Sequence, residues 1–449
     1  MVKGDFQPLF LVMEFIPLNL AGVYRPLRFI NFLAEKGEFP IVVTFEIDET
    51  VKKLYPNIDL GLNTRLHKNV TVYRVPLSII KKESRIQSFL NIYFNLSDGY
   101  RKIWKKNLLN TLPGIFERHS INKIIVTCPP FSGALLGCKI SKKYNIDLYL
   151  DMRDAWSQLS MNPIGSRIHY FFKRNLERKV FSHAKKITTV TPQLKNAFIK
   201  NHPSIDSSKF ELIFNGFDFK LPENLVVNFK GLNDSDSIHI GYSGSYYFDP
   251  IAYDQTQVKW WKRKGHRKFF YTPVKEDWSY RSPYYFLESM SSFLKNNPQY
   301  KNRLYFHHIG EKYDWLEQMI LNFDLRENCI LHGYLTRSET KELQDSFDLL
   351  LATSELVEGA EHYCLPSKLF TYIQSQKPIL GFVTDGIQKE FILKSNIGRV
   401  INPRALDTLE DDFKNVIMEG FSNKIDLVYL SNFENERLSA EFRNVIENN

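Results

Sequence analysis

Residues 347–383 read FDLLLATSELVEGAEHYCLPSKLFTYIQSQKPILGFV, and this stretch decides the fold. Its two apolar runs predict buried strands, and the segment beginning Leu365-Pro366-Ser367-Lys368 predicts a short helix between them. Together they form a βαβ unit, which places its loops at the carboxyl ends of a parallel sheet. The helix start, its dipole and the Lys368 ammonium therefore predict an anion site that suits a phosphate.

The same alternation of strand and helix runs through the whole chain. It extends from residue 9 to residue 214, is interrupted by a polar stretch at 220–237, and begins again at residue 238. This pattern predicts an α/β protein with two Rossmann-like, doubly wound domains that face a ligand-binding cleft. The predicted ranges are 1–225 for the N-terminal domain, 238–405 with an insertion at 246–283 for the C-terminal domain, and 406–449 for C-terminal helices.

Composition limits the class of protein. The chain has 449 residues, of which 43% are hydrophobic and 24% charged, values typical of a globular protein with more than one domain. Its four scattered cysteines lack metal-ligand spacing, which predicts a cytoplasmic protein without disulfides or structural zinc. The apolar run at 9–13 is interrupted by Glu14, so we expect neither a signal peptide nor a transmembrane helix.

The net charge of +9 is concentrated in the first half of the chain. Residues 81–118 carry eight Lys or Arg against three acids, residues 167–186 carry seven against one, and aromatic residues are interleaved with both sets. The pattern fits helices lying on an anionic membrane, here the inner face of the cell membrane, and equally a solvated basic face over an aromatic core stripe. Nucleic-acid binding is not expected, because no recognised motif accompanies the charge.

Polar residues follow several strands of the first half. Gly22 and Arg25 follow the first strand, and a glycine there lets the backbone approach a ligand. Asp151, Arg153 and Asp154 follow a later strand. A buried Asp requires a partner, and Arg153 is the expected one. A structural salt bridge and a functional site are both open interpretations.

Two further turns of the first half are candidates. Ser132 ends Cys128-Pro-Pro-Phe-Ser132, where its hydroxyl is placed either to cap the next helix or to line a site. Asn215 and Gly216 form a turn after a short strand, and this dipeptide tolerates positive φ.

The second half offers small residues and cations. Ser243, Gly244 and Ser245 follow the strand at 238–243, and their backbone N–H groups predict a phosphate nest. The insertion ends near Arg281, which is placed to meet a diphosphate. Its basic and aromatic stretch at 259–268 is either a solvated hairpin or a site for a glycan, a lipid head group or a partner.

Six short motifs occur in order and with fitting spacing. Together they resemble the GT-B glycosyltransferases, in the broad family-4-like group that builds bacterial surface polysaccharides such as capsule and exopolysaccharide. The motifs are Gly22-Val-Tyr-Arg25, Cys128-Pro-Pro-Phe-Ser132, Asp151-Met-Arg-Asp-Ala-Trp156, Asn215-Gly-Phe-Asp218, Tyr242-Ser-Gly244 and Pro366-Ser-Lys-Leu-Phe-Thr-Tyr372.

The resemblance implies retaining transfer of a sugar from a nucleotide diphosphate sugar to a lipid-linked or polysaccharide acceptor. It implies no metal and no cofactor besides the donor substrate, and C-terminal helices that fold back onto the N-terminal domain. The candidate residues are Arg25, Asp151, Arg153 and Asp154 for catalysis; Gly22, Ser243, Gly244, Arg281, Glu361, Pro366, Ser367, Lys368 and Thr371 for donor binding; and Ser132, Asn215 and Gly216 as cleft lining.

One departure from the family pattern keeps alternatives open. Many relatives carry two glutamates eight positions apart, the second at the nucleotide ribose, and here Tyr363 and Thr371 occupy those positions. Glu355, Glu358 and Glu361 are candidate substitutes. Thr371 favours a non-catalytic glycan- or nucleotide-binding homologue as an alternative. Another GT-B enzyme, such as a sugar-nucleotide epimerase, is a further one.

Overall fold

The computed structural model describes residues 7–77, 100–158, 164–232, 236–246, 248, 250 and 258–447. Residues 81–99 of the predicted basic helix at 81–118, and part of the insertion at 246–283, therefore lie outside the described residues. The chain divides into two compact units. Unit 1 comprises Met1–Asn215, Arg263–Pro273 and Asn435–Asn449, and unit 2 comprises Gly216–Lys262 and Val274–Glu434.

Unit 1 is built on a seven-stranded parallel sheet. Across the sheet, hydrogen-bonded strands follow one another in the order β3-β2-β1-β4-β5-β6-β7. Strands such as β2 are buried along their whole length, as expected where helices cover both faces of a parallel sheet. The strands are β1 (Gln7–Leu11), β2 (Ile41–Phe45), β3 (Thr71–Val75), β4 (Ile121–Cys128), β5 (Asp147–Met152), β6 (Lys186–Thr189) and β7 (Phe210–Leu212).

The helices of unit 1 include one from the end of the chain. They are α1 (Ala21–Glu35), α2 (Glu49–Leu54), α3 (Tyr100–Arg118), α4 (Ser132–Tyr144), α5 (Arg167–His183), α6 (Pro192–Asn201) and, after unit 2, α14 (Asn435–Glu447). The Phe442 ring of α14 stacks on Phe29 of α1 with a centroid distance of 4.1 Å. This contact confirms the predicted return of the C-terminal helices for α14. For 406–434 the prediction is wrong, because the helices Leu409–Glu419 and Leu427–Ser431 belong to unit 2.

Unit 2 is built on a six-stranded parallel sheet in the order β12-β11-β9-β13-β15-β16. Two antiparallel pairs, β10 with β14 and β8 with β17, lie outside it. The strands are β8 (Val226–Phe229), β9 (Ile238–Ser243), β10 (Glu276–Asp277), β11 (Leu304–Ile309), β12 (Cys329–Gly333), β13 (Leu349–Thr353), β14 (Leu356–Val357), β15 (Ile379–Phe382), β16 (Gly398–Ile401) and β17 (Phe421–Lys424). The helices are α7 (Tyr284–Asn296), α8 (Asp314–Asn322), α9 (Arg337–Ser346), α10 (Lys368–Gln374), α11 (Ile387–Lys394), α12 (Leu409–Glu419) and α13 (Leu427–Ser431).

Both sheets confirm the predicted pair of doubly wound, Rossmann-like folds. In each sheet the strand order reverses once, between β1 and β4 in unit 1 and between β9 and β13 in unit 2. Ligands of such sheets bind at the carboxyl ends of the strands beside this reversal. No helix of the described ranges is long and apolar enough to cross a bilayer.

Candidate functional site

Asp151 lies at the carboxyl end of β5 in unit 1, where it is only 2% exposed. Its carboxylate accepts hydrogen bonds from Arg25 Nη2 at 2.8 Å and Nε at 3.0 Å. The hydroxyls of Thr127 and Thr188 donate to it at 3.1 and 2.7 Å. Burial alone would raise the pKa of Asp151, but Arg25 and these hydrogen bonds hold it below its ordinary value. The carboxylate is therefore ionised, and both of its oxygens accept hydrogen bonds from groups of unit 1.

Arg25 is only 5% exposed, and its guanidinium also makes hydrogen bonds to groups other than Asp151. Its Nη1 donates to the carbonyl of Phe214 at 2.7 Å and to Oδ1 of Asn215 at 3.3 Å. The prediction that Arg153 pairs with Asp151 is therefore wrong, because the buried partner comes from α1, 126 positions earlier. The pair ties α1, β5 and the segment after β7 together.

Arg153 contacts Gly22 instead. An added Cβ at Gly22 would lie 2.0 Å from Nη1 of Arg153, so the missing side chain makes room for a guanidinium. Arg153 lies just after β5, where its N–H donates to the carbonyl of Cys128 at 2.8 Å and its Nη2 donates to Pro129. The Arg153 guanidinium thus occupies the space beside Gly22, and the assignment of Gly22 to the donor stays a prediction. Asp154 follows Arg153 and is half-buried.

The remaining candidates of this half are dispersed. Ser132 is buried, but it is the first residue of α4, and the preceding Phe131 occupies the N-cap position. The expectation that Ser132 caps this helix is therefore wrong. Asn215 contacts Arg25, whereas Gly216 is the first residue of unit 2 and is half-buried.

Lys368 is the centre of the candidate site in unit 2. Helix α10 begins at Lys368, so the predicted start at Leu365-Pro366 is too early. Pro366 instead closes a turn, because its carbonyl accepts the N–H of Leu369 at 3.2 Å. Ser367, at the N-cap position, is exposed and its side chain makes no capping hydrogen bond.

The Lys368 ammonium lies against an aromatic ring and a glycine. Its Nζ donates to the Tyr242 hydroxyl and lies 3.7 Å from the centroid of that ring. An added Cβ at Gly244 would lie 3.6 Å from the same Nζ. Burial, and next the charge of Arg281, lower the pKa of Lys368 to about 7. Lys368 and Gly244 thus lie together at the end of β9, where the charge of Arg281 also acts on Lys368. Their assignment to a diphosphate stays a prediction.

Arg281 is positioned by a buried pair that the sequence interpretation did not identify. Glu355, just after β13, has its Oε1 3.4 Å from Arg281 Nη1 and 3.0 Å from His362 Nε2. Burial would raise the pKa of Glu355, but His362 and Arg281 hold it well below its ordinary value. His362 is buried, and its only sequence signal is an imidazole seven positions after a glutamate.

The expected backbone nest is not open at two of its three positions. The Ser243 N–H donates to the Tyr372 hydroxyl at 3.2 Å, and the Ser243 hydroxyl accepts from Gln344 at 2.6 Å. The Gly244 N–H donates to the carbonyl of Ile309 at 2.8 Å. Both N–H groups are already bonded within unit 2, one to a side chain of α10 and one to β11, so that part of the prediction is wrong. Gly244 has φ +110°, a conformation that favours glycine, and it contributes open space rather than a donor.

Comparison with known protein structures identifies the fold of the chain. No protein-family model and no curated protein sequence matches the chain. Solved structures do match it across nearly its whole length. The fold is GT-B.

Three of these structures illustrate the likeness. Sucrose-phosphate synthase from Thermosynechococcus elongatus covers 98% of both chains at 10% identity, with a TM-score of 0.57. A glycosyltransferase from Rickettsia africae covers 99% of this chain and 100% of its own at 13% identity and 0.56. WaaG, a glycosyltransferase involved in lipopolysaccharide biosynthesis, covers 98% and 100% at 13% identity and 0.53. At such identities the likeness shows the fold alone.

Two predicted donor residues of this GT-B chain lie outside the group around Lys368. Thr371 is exposed, and its hydroxyl donates to the carbonyl of Lys368 at 2.8 Å, within its own helix. Glu361 is exposed as well. Their assignment to the donor stays a prediction.

A row of histidines crosses three neighbouring strands of the unit 2 sheet. His239 Nδ1 lies 2.9 Å from His307 Nε2, and His307 Nδ1 lies 3.0 Å from His332 Nε2. Burial lowers the pKa of His307 to about 4, so this imidazole is neutral at pH 7. Among the described side chains, no group of three or more His, Cys, Asp or Glu is arranged to hold a metal ion.

Proposed function

We propose that this protein is a glycosyltransferase of the family-4-like GT-B group, acting with retention on a nucleotide diphosphate sugar. The observation that carries the proposal is the Lys368 ammonium beside Gly244 and Tyr242 at the end of β9, with Arg281 held by Glu355 just after the neighbouring strand β13. Two cations near the open space at Gly244 suit the diphosphate of a sugar donor, whose negative charge grows as the sugar leaves.

The charge balance of the group supports an anionic ligand. Arg281 shares Glu355 with His362, while Lys368 contacts a hydroxyl and an aromatic ring. The mutual repulsion of the two cations is one cause of the lowered Lys368 pKa. A diphosphate between them would offset that repulsion and raise this pKa again.

We propose a lipid-linked or polysaccharide acceptor in the synthesis of a bacterial surface polysaccharide such as capsule or exopolysaccharide. A role at the inner face of the cell membrane belongs to the same proposal and is supported by the basic, aromatic composition of the first half. In this proposal Arg153 and Asp154 are the candidate groups of unit 1 for the transferred sugar, and the Arg25–Asp151 pair supports their loop.

A non-catalytic nucleotide- or glycan-binding protein is the second candidate. The observation that favours it is the saturation of Arg25 and Asp151 by each other and by their neighbours. Thr371, at the position of the expected ribose-binding glutamate, points to the same alternative because its hydroxyl bonds its own helix.

Thermal unfolding with a panel of nucleotides tests the proposal. Nucleoside diphosphates and their sugars are expected to raise the melting temperature, because a ligand that binds only the native state stabilises it. The matching nucleoside monophosphates, which lack the second phosphate, are the control and should give a smaller rise. If no diphosphate raises the melting temperature, the proposal is wrong.

The nucleotide sugar that raises the melting temperature most is then assayed for release of its nucleoside diphosphate. Release, with water or with a membrane extract as acceptor, supports the enzyme. Tight binding without any release under both conditions supports the non-catalytic protein instead.

A further inference from the structure

One side of helix α5 in unit 1 exposes apolar side chains. Ile168, Phe171 and Phe172 are 66%, 62% and 52% exposed. Their spacing of three and four residues places them on the same side of the helix. The other side is buried and carries Glu177 and Phe181. This helix therefore has two apolar sides, and only one of them packs in unit 1.

The segment 263–273 is attached at the start of this helix. Tyr271 exchanges two backbone hydrogen bonds of 2.9 Å with Ile164, and its ring centroid lies 5.1 Å from that of Tyr170. Phe269, two residues before Tyr271, is 68% exposed. We call the exposed residues Ile168, Phe171, Phe172 and Phe269 the α5 surface.

The two segments that carry the α5 surface are rich in bases. Residues 167–183 hold five bases and one acid, and residues 263–273 hold four bases and no acid. The single acid, Glu177, is buried and lies 2.7 Å from His202 Nε2, so it does not offset the exposed bases. Arg167, Lys264 and Lys268 are exposed.

We propose that the α5 surface docks on a bilayer containing anionic lipid. Exposed phenylalanines and an isoleucine on one helix side match the acyl region of a leaflet, and the surrounding bases match its anionic head groups. A nucleic acid would use the bases but would leave Ile168 and the phenylalanines in water. The inference deepens the proposed function, on which it rests for the acceptor at the membrane, by naming the surface that meets it.

Flotation of the full chain with extruded vesicles tests the proposal. The chain is expected to float with phosphatidylglycerol-containing vesicles, to stay behind with pure phosphatidylcholine, and to dissociate as NaCl is raised. The triple substitution Phe171→Gln, Phe172→Gln and Phe269→Gln is expected to lower the partition coefficient at least about tenfold. Lys264→Gln and Lys268→Gln are each expected to lower it about fivefold.

Matched substitutions elsewhere in unit 1 are the controls. Phe39→Gln with Leu60→Gln removes apolar side chains that are 46% and 71% exposed, and Lys53→Gln with Lys142→Gln removes exposed bases. Both controls should float like the wild type. Every variant is first compared with the wild type by thermal unfolding, and single substitutions replace any combination that unfolds early.

Two outcomes overturn the proposal. The first is failure of the wild type to float with anionic vesicles, and the second is flotation of the triple variant equal to that of the wild type. In the second case, loss of a concentration-dependent dimer or of oligonucleotide binding in the triple variant would identify the α5 surface as a dimer or nucleic-acid interface instead. Nucleoside diphosphate binding is measured separately without vesicles, so failure of the docking surface and failure of the proposed function are distinguished.

Discussion

The two predicted halves of the site differ in how their charges are balanced. In unit 1, Arg25 and Asp151 meet in a buried pair whose remaining hydrogen-bonding groups are satisfied by hydroxyls and a carbonyl. In unit 2, Arg281 shares Glu355 with His362, whereas Lys368 contacts the hydroxyl and ring of Tyr242, and its pKa falls to about 7. The charges of the unit 1 group balance each other, whereas the unit 2 group has an excess of positive charge.

This difference separates a structural constellation from a binding one. Both groups consist of charged residues at the carboxyl ends of parallel strands, so position alone does not distinguish them. A saturated pair gains nothing from a ligand, whereas an excess of cations is stabilised by an added anion. We therefore expect substitutions in unit 1 to affect stability and those in unit 2 to affect binding.

The largest effect is expected from Asp151→Asn. It leaves the Arg25 guanidinium buried without its counter-ion, which costs about 3–5 kcal/mol of unfolding free energy. Asp147→Asn, on the same strand, is the control, because its bond to Lys185 is exposed and contributes about 0–1 kcal/mol. Denaturant unfolding measures both. A stable Asp151→Asn protein without turnover would reverse the assignment and make Asp151 catalytic.

The next effect is expected from Lys368→Met. Loss of a charged hydrogen bond to the diphosphate removes about 1.5–3 kcal/mol of binding free energy, or roughly 10–100-fold in affinity. The substitution should leave unit 2 folded, because burial and the charge of Arg281 both disfavour the Lys368 ammonium in the absence of ligand. Calorimetric titration with a nucleoside diphosphate measures the affinity.

Lys394→Met is the control for this substitution. Lys394 is exposed in the same unit and pairs with Glu390, so its loss should leave the affinity unchanged. Equal affinities of Lys368→Met and the wild type would contradict the diphosphate assignment.

A smaller effect is expected from pH. The pKa of Lys368 is about 7 in the free protein, and bound diphosphate raises it. Below pH 7 the ammonium is charged before and after binding, so it adds no pH dependence. Above pH 7 binding takes up a proton, and the affinity falls by up to about tenfold (about 1.4 kcal/mol) per pH unit.

Titrations between about pH 7 and pH 9 check this slope, and Lys368→Arg is the control. A guanidinium stays charged over this range, so the variant should show a flat profile. A flat profile in the wild type would show that Lys368 does not contact the diphosphate.

The smallest effect is expected from Thr371→Ala. The Thr371 hydroxyl bonds the Lys368 carbonyl within an exposed helix turn, so its loss should change donor affinity by less than about 0.5 kcal/mol. The same titration measures it. A tenfold loss of affinity would show that Thr371 reaches the donor in the complex and would weaken the contrast between the units.

The pattern of apolar residues predicts the fold well, because each buried parallel strand is a run of apolar residues in the sequence. The runs Ile41–Phe45 and Leu349–Thr353 are apolar in sequence and buried in the structure. The first residue of a helix is harder to predict from the sequence, because proline fits both the first turn of a helix and the turn that precedes the helix. Pro366 belongs to the second case.

Pairing partners are less predictable, because they are set by strand order and not by distance along the chain. Arg153 is two residues from Asp151, yet the bond comes from Arg25 on another element. Glu355 likewise meets His362 across a loop. The Lys368 group was predictable because strand ends, glycine and cations share one edge of one sheet.

Helix α14 gives unit 1 an unusual order of assembly. All strands of its sheet precede residue 216, but the helix that stacks on Phe29 follows residue 434. At roughly 5–20 residues per second, synthesis of the chain between them takes on the order of 10–40 s. Throughout that interval the apolar side of α1 lacks its cover on the nascent chain. The unit whose synthesis begins first is thus the last to be completed.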